Sequence, residues 1–165
     1  MDAADAALCR DLLTGERWAG LATTGEDGPF ASMVAFALGE DRGSVLLHLS
    51  TLAPHTANLL SVGRAGLVVS RPDDGSGDPQ TLPRISLAGP VHLLERDDPA
   101  YPEARDTYLG RLPTAEPLFS FGDFRLFRLV IERANFVGGF ARARTLSGAA
   151  LARALEDAAR REDPA

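Results

Sequence analysis

With 165 residues, 45% of them hydrophobic and 24% charged, the chain has the composition of one soluble globular domain that needs neither disulfides nor metals to hold a core. The net charge of −6 disfavours non-specific nucleic-acid binding, and the absence of any lysine excludes both a Schiff base and a lysine phosphate clamp. A lone Cys9 forms no internal disulfide, and His48, His55 and His92 are too scattered for a zinc signature. The N-terminal MDAADAALCRDLL lacks the basic and apolar regions of a signal peptide, and no apolar run approaches a membrane span, so the expectation is a cytoplasmic protein without a membrane partner.

Residues 3–14 predict a helix with Leu8, Leu12 and Leu13 on one face and Gly15 as its stop. Trp18 to Thr24 predicts a strand, and a glycine-rich turn returns the chain into Phe30–Leu38. In that second strand Phe30, Ser32, Val34, Phe36 and Leu38 share one face. Ala31, Met33, Ala35 and Ala37 share the other, whose small residues suit close approach of something bulky or of a packed helix. Ser44–Ser50 is a third strand. It ends in Ser50 and Thr51, then passes Pro54 into a short helix carrying His55, Thr56, Asn58, Leu59, Leu60 and Val62. A strand that ends in hydroxyls and feeds a helix N-terminus has the makings of an anion site, because free N–H groups and the helix dipole face the ligand; a plain capped helix has the same pattern.

Ala65–Ser70 is a fourth strand, and residues 71–83 (RPDDGSGDPQTLP) form a loop by composition, expected to be mobile. Arg84–Leu94 is a fifth strand whose Gly89-Pro90 suggests a bulge or barrel corner. Tyr101, Ala104, Tyr108 and Leu109 fall at helical spacing. Phe124–Glu132 is a sixth strand, apolar on both faces, and Asn135–Ala143 a glycine-hinged extension of it. Ser147 can cap a last helix spanning 147–161. Six short antiparallel strands with helices at the ends and in two crossovers predict a small antiparallel β-barrel in a single domain over 1–165. No Rossmann or Walker-type glycine loop is present.

Four segments, LATTGEDGPFASMVAFAL (21–38), LHLSTLAPHTANL (47–59), RISLAGPV (84–91) and FGDFRLFRLVIERANFVGGFARA (121–143), together resemble the flavin-binding split-barrel superfamily typified by pyridoxamine 5′-phosphate oxidase. The likeness is nearer to its heme-utilisation branch. The resemblance implies a six-stranded split barrel, mainly β, that forms a homodimer and holds flavin mononucleotide (FMN) for oxidoreductase chemistry on a small-molecule substrate. It implies cofactor contacts from Ser32, Met33, Val34 and Ala35 on the second strand, and from Leu49 and Ser50 at the end of the third. His55 and Thr56, with Asn58, stand where the oxidase has a basic phosphate-gripping pair. Arg84 falls near the flavin pyrimidine edge, and Phe136 and Arg142 match the oxidase's aromatic-x-Gly-Gly segment and substrate-side arginine. A bound phosphate dianion would raise the pKa of His55. The alternatives are a non-catalytic heme- or flavin-binding protein of the heme-utilisation branch and a deazaflavin-dependent reductase. The chain departs from the heme-degrading members in having no histidine after His92, although Asp123 matches an acid of that branch and Tyr108 is another candidate ligand.

Overall fold

The computed structural model describes residues 1–139 and 142–162. Strand β1 (Trp18–Gly25) buries Ala19, Leu21 and Thr23 and turns Trp18, Ala22 and Thr24 outward, the period-2 pattern of a sheet covered on one face. It forms a hairpin with β2 (Gly28–Ala35), whose first residue has φ 96°, a conformation that glycine adopts without strain. At Phe36 the alternation breaks. Phe36 and Ala37 are consecutive and both are buried, Phe36 in the main core and Ala37 in a second apolar cluster, so the chain bends there into the short β3 (Ala37–Leu38).

Strand β4 (Ser44–Ser50) is buried on both faces up to its last residue, as its run of Val45, Leu46, Leu47 and Leu49 requires. Helix α2 (Pro54–Val62) follows and stops at Gly63, whose φ of 68° and N–H to the Leu59 carbonyl make a left-handed cap. Next come β5 (Arg64–Ser70), the 71–83 loop, β6 (Arg84–Leu94), α3 (Tyr101–Arg111) and a 3-10 stretch, Pro113–Ser120. The loop contains Asx turns at Asp73 and Asp74 and a 3-10 turn at Pro79–Thr81. The chain finishes with β7 (Phe124–Val130), β8 (Arg133–Val137), β9 (Ala143–Ser147) and α4 (Gly148–Glu162), preceded by α1 (Ala3–Gly15) at the other end. The Ser147 hydroxyl accepts the Ala150 N–H at 3.3 Å, the expected cap of the last helix.

The sheet runs β2-β1-β5-β6-β7-β4-β3, antiparallel throughout, with β8 added on β6 and β9 on β8. Because β2 continues through Phe36 into β3, the two ends of that order are joined by the chain, and the sheet curls into a half-barrel. β2 hydrogen-bonds only to β1 among the described residues, so a split runs along its other edge. The corner expected at Gly89-Pro90 is present. Residues 84–88 lie between β5 and β8, whereas 91–94 pair with β7. A Cβ on Gly89 would sit 1.8 Å from the Val130 carbonyl oxygen, so only glycine lets the two strands cross there.

Phe36, Leu47, Phe127 and Phe136 fill the barrel, closed at one side by Leu12 and Leu13 of α1 and Leu151 and Leu155 of α4. The second cluster lies outside the sheet, where Ala104, Tyr108, Leu112 and Phe119 cover Leu46, Leu94 and Leu126. All six expected strands are present. The structure divides the second at Phe36, ends the sixth at Val130 and folds the expected extension into the β8–β9 hairpin, with 140–141 outside the described residues.

Candidate functional site

The split brings together three pieces: the free edge of β2, the end of β4, and the first turn of α2. Two side-chain bonds dock α2 against the β1–β2 hairpin. The Ser32 hydroxyl and His55 Nδ1 lie 2.9 Å apart, and Asn58 Nδ2 donates to the Thr23 hydroxyl at 3.1 Å. Ser32 faces this way because it pairs with the buried Leu21 and shares the inner side of β2 with buried Val34. Met33 points to the outer face, where it is 50% exposed, and Ala35 is half-buried. The structure therefore gathers Ser32, Val34, Leu49, Ser50, His55, Thr56 and Asn58 around one end of the barrel.

What those groups offer a ligand is decided by their bonds. The Thr56 hydroxyl is fully buried and donates to the Ser50 carbonyl at 2.7 Å. The Ser50 hydroxyl donates to Asp123 Oδ2 at 2.6 Å and accepts the Leu52 N–H at 3.2 Å. The N–H groups of Thr51, Ala53 and Thr56 go to the carbonyls of Asp123, Ser50 and Ala53, at 2.7, 3.2 and 3.0 Å. Pro54 has no N–H. In the first turn, the His55 N–H has no acceptor among the described residues. The expected phosphate cradle is thus largely closed on itself. A phosphate placed there would meet the open His55 N–H, the exposed Thr51 hydroxyl and one imidazole, but no fixed positive charge, with the Asp123 carboxylate alongside. FMN's phosphate does not fit this donor set well.

His55 is half-buried, and desolvation lowers its pKa below the ordinary histidine value, which favours the neutral ring. With Nδ1 held by Ser32, Nε2 has no protein partner among the described residues. Leu52, at the tip of the loop, is 84% exposed, so apolar surface adjoins the imidazole's own helix turn. A neutral nitrogen ligand, a free strand edge and exposed apolar side chains form a donor set that fits a metalloporphyrin.

The other expected contacts lie elsewhere in the chain. Arg84 bends back to the Gln80 and Leu82 carbonyls at 2.9 and 3.1 Å. Phe136 is a fully buried core aromatic. Arg142 pairs with Asp5 of α1, which is itself buried, and Arg144 Nε lies 3.6 Å from the same carboxylate. Asp5 escaped attention in the sequence, though its spacing to Cys9, Leu12 and Leu13 puts it on the apolar face of its helix. Tyr108 is unsuited to ligate heme: it is buried beside His48, and burial pushes its hydroxyl up to about 12. His48 is likewise enclosed, stacked on Phe119 at 3.7 Å between centroids. Cys9 is buried in the core, and burial raises its thiol to about 12. No helix among the described residues is long and apolar enough to cross a membrane.

A curled antiparallel half-barrel with flanking helices, open along one strand edge beside a strand-to-helix loop, defines a split-barrel protein of the pyridoxamine 5′-phosphate oxidase-like type. The chain belongs to the CREG beta-barrel family, whose model matches residues 2–150. It is 37% identical over 124 residues to the chloroplastic non-canonical heme oxygenase HOZ of Arabidopsis thaliana, an alignment covering 74% of this chain and 36% of the plant protein. It superposes on a heme binding protein from Mycobacterium smegmatis with a TM-score of 0.78 and 30% identity, covering 93% of this chain and 61% of that one. The chain therefore spans about a third of its plant relative and under two thirds of the mycobacterial one. A Clostridium acetobutylicum protein of the pyridoxinephosphate oxidase family shares the fold alone, with a TM-score of 0.65 at 14% identity over 89% of this chain and 96% of that one.

Proposed function

We propose that this chain is a heme-binding split barrel, with the porphyrin seated along the free edge of β2 beside the first turn of α2. The observation that carries the reading is the donor set. The loop commits the Ser50 and Thr56 hydroxyls and the backbone N–H groups of Thr51, Leu52, Ala53 and Thr56 to protein acceptors and presents an imidazole that favours its uncharged form, where a flavin phosphate needs fixed positive charge. Heme-binding and heme oxygenase relatives support the same direction. The iron chemistry would belong to the heme; the chain would supply binding, orientation and control of access.

We further propose that the working form is a homodimer. The outer face of the sheet presents Trp18 at 58%, Met33 at 50% and Val68 at 41% exposure around Gly20, Ala22, Ala31 and Gly66. Such a flat, small-residue, apolar face suits a second copy. FMN is the second reading, favoured by the open His55 N–H and the absence of acidic residues from the first turn of α2. One titration separates the two. Hemin added to the purified chain is expected to give a saturable Soret band at one equivalent, while FMN passes through gel filtration unbound. Stoichiometric retention of FMN without a hemin-dependent Soret band would overturn the heme reading.

A further inference from the structure

We infer that His55 is the protein ligand to the heme iron, binding through Nε2, and that Ser32 is the positioning residue that aims its ring. This rests on the heme reading above and goes one step beyond it, to the atom that meets the metal.

Three observations carry it. First, the ring is already oriented. Nδ1 lies 2.9 Å from the Ser32 hydroxyl on a strand of the barrel wall, and His55 sits on the first turn of a helix docked to the neighbouring strand by Asn58 and Thr23. Metal-ligating histidines characteristically hold their second ring nitrogen in such a bond, which sets the tautomer and leaves the other lone pair for the metal. A serine hydroxyl can accept from Nδ1–H, so the arrangement accommodates the tautomer that coordination requires. Second, the other histidines and the cysteine are accounted for. His48 is enclosed by Tyr108, Phe119 and Phe124, and Cys9 lies in the core. His92 stands on β6 past the Gly89 corner, opposite Arg128 and away from the split. Third, His55 borders the split itself, where β2 has an unpaired edge and a flat ring can approach backbone.

The test is spectroscopic and uses the full chain loaded with one equivalent of hemin. Resonance Raman of the reduced wild-type complex is expected to show an iron–histidine stretch that shifts when the protein is produced with 15N-histidine. In His55→Ala that band and its isotope shift disappear, and added imidazole restores the wild-type absorption spectrum. In Ser32→Ala the band persists at a changed frequency, and hemin affinity falls about tenfold, the loss typical of removing an outer partner of a metal-bound histidine. A Soret band with no 15N-histidine sensitivity in the wild type, or identical spectra for wild type and His55→Ala, would overturn the ligand while leaving the heme reading standing. No hemin-dependent Soret band in the wild type would overturn both.

Discussion

Replacing His48 by phenylalanine gives a prediction whose size follows from the structure. His48 is 7% exposed, its Nδ1 has no hydrogen-bond partner, and its ring lies parallel to Phe119 and within 5.8 Å of Tyr108 and 5.1 Å of Phe124. Burial, with a smaller contribution from the Arg96 cation, pulls its pKa from 6.5 down to about 4. The ring must therefore be neutral in the folded chain but gains a proton in the unfolded chain below pH 6.5. Its contribution to stability is complete above that pH and is lost as pH falls towards 4. At about 1.4 kcal/mol per pH unit the loss reaches at most about 3 kcal/mol. Phenylalanine keeps the aromatic stack, cannot protonate, and removes a buried unpaired nitrogen that costs roughly 1–3 kcal/mol. Urea unfolding of both proteins at several values between pH 8 and pH 4 measures the effect. His48→Phe is expected to match or slightly exceed the wild type at pH 8, with its advantage growing steeply below pH 6.5. Because the carboxylates are common to both chains, their titration cancels in the difference. A stability difference that stays constant across the whole range would refute the reasoning.

Asp5→Asn leaves Arg142 and Arg144 without their buried carboxylate; because both guanidinium groups are about half exposed, the expected loss is about 2 kcal/mol, read as a thermal midpoint lower by roughly 4–8 °C, and an unchanged midpoint would mean that the pair contributes nothing. Thr56→Val removes the 2.7 Å bond to the Ser50 carbonyl, which keeps the Ala53 N–H, so a loss of about 1 kcal/mol in urea unfolding is expected, with hemin affinity retained; a collapse of affinity at full stability would make Thr56 a ligand contact. Met33→Glu puts a charge on the outer sheet face and is expected to convert a dimer into a folded monomer by sedimentation velocity; an unchanged dimer would place the interface elsewhere.

The barrel was legible because its strands state their period. Trp18–Gly25 alternates, Ser44–Ser50 carries Val45, Leu46, Leu47 and Leu49 and is buried on both faces, and the Gly89-Pro90 break falls where β6 changes partner. The interruption at Phe36 was not legible. A continuous apolar run reads as one strand, and Phe36 and Ala37, on opposite faces as the period requires, are both buried only because each meets a different core. The β8–β9 hairpin was hidden for a similar reason, since the glycines after Val137 read as a hinge whose far side carries the largely exposed Ala143–Ser147. Asp5 went unread because an acid near a helix start is ordinarily a dipole or capping residue. Here Asp2 caps the helix and Asp5 turns inward to its arginines.

The candidate site shows where a residue pattern stops informing. Serine, threonine and asparagine after a strand read equally well as ligand contacts or as groups serving their own backbone, because a short polar side chain reaches both. The direction is set by what lies across the gap. Asp123, 73 residues further along the chain, takes the Ser50 hydroxyl and the Thr51 N–H, and the Ser50 carbonyl takes both Thr56 and Ala53. A carboxylate delivered from β7's entry thus closes the loop that the local sequence presents as open. It also changes which ligand the loop can hold. Each donor committed to Asp123 or Ser50 is one fewer for a phosphate, whereas a metal needs none of them, only a nitrogen lone pair held at a fixed angle. The same bonds that weaken the anion site keep the first turn of α2 rigid, and that rigidity lets Ser32 aim His55.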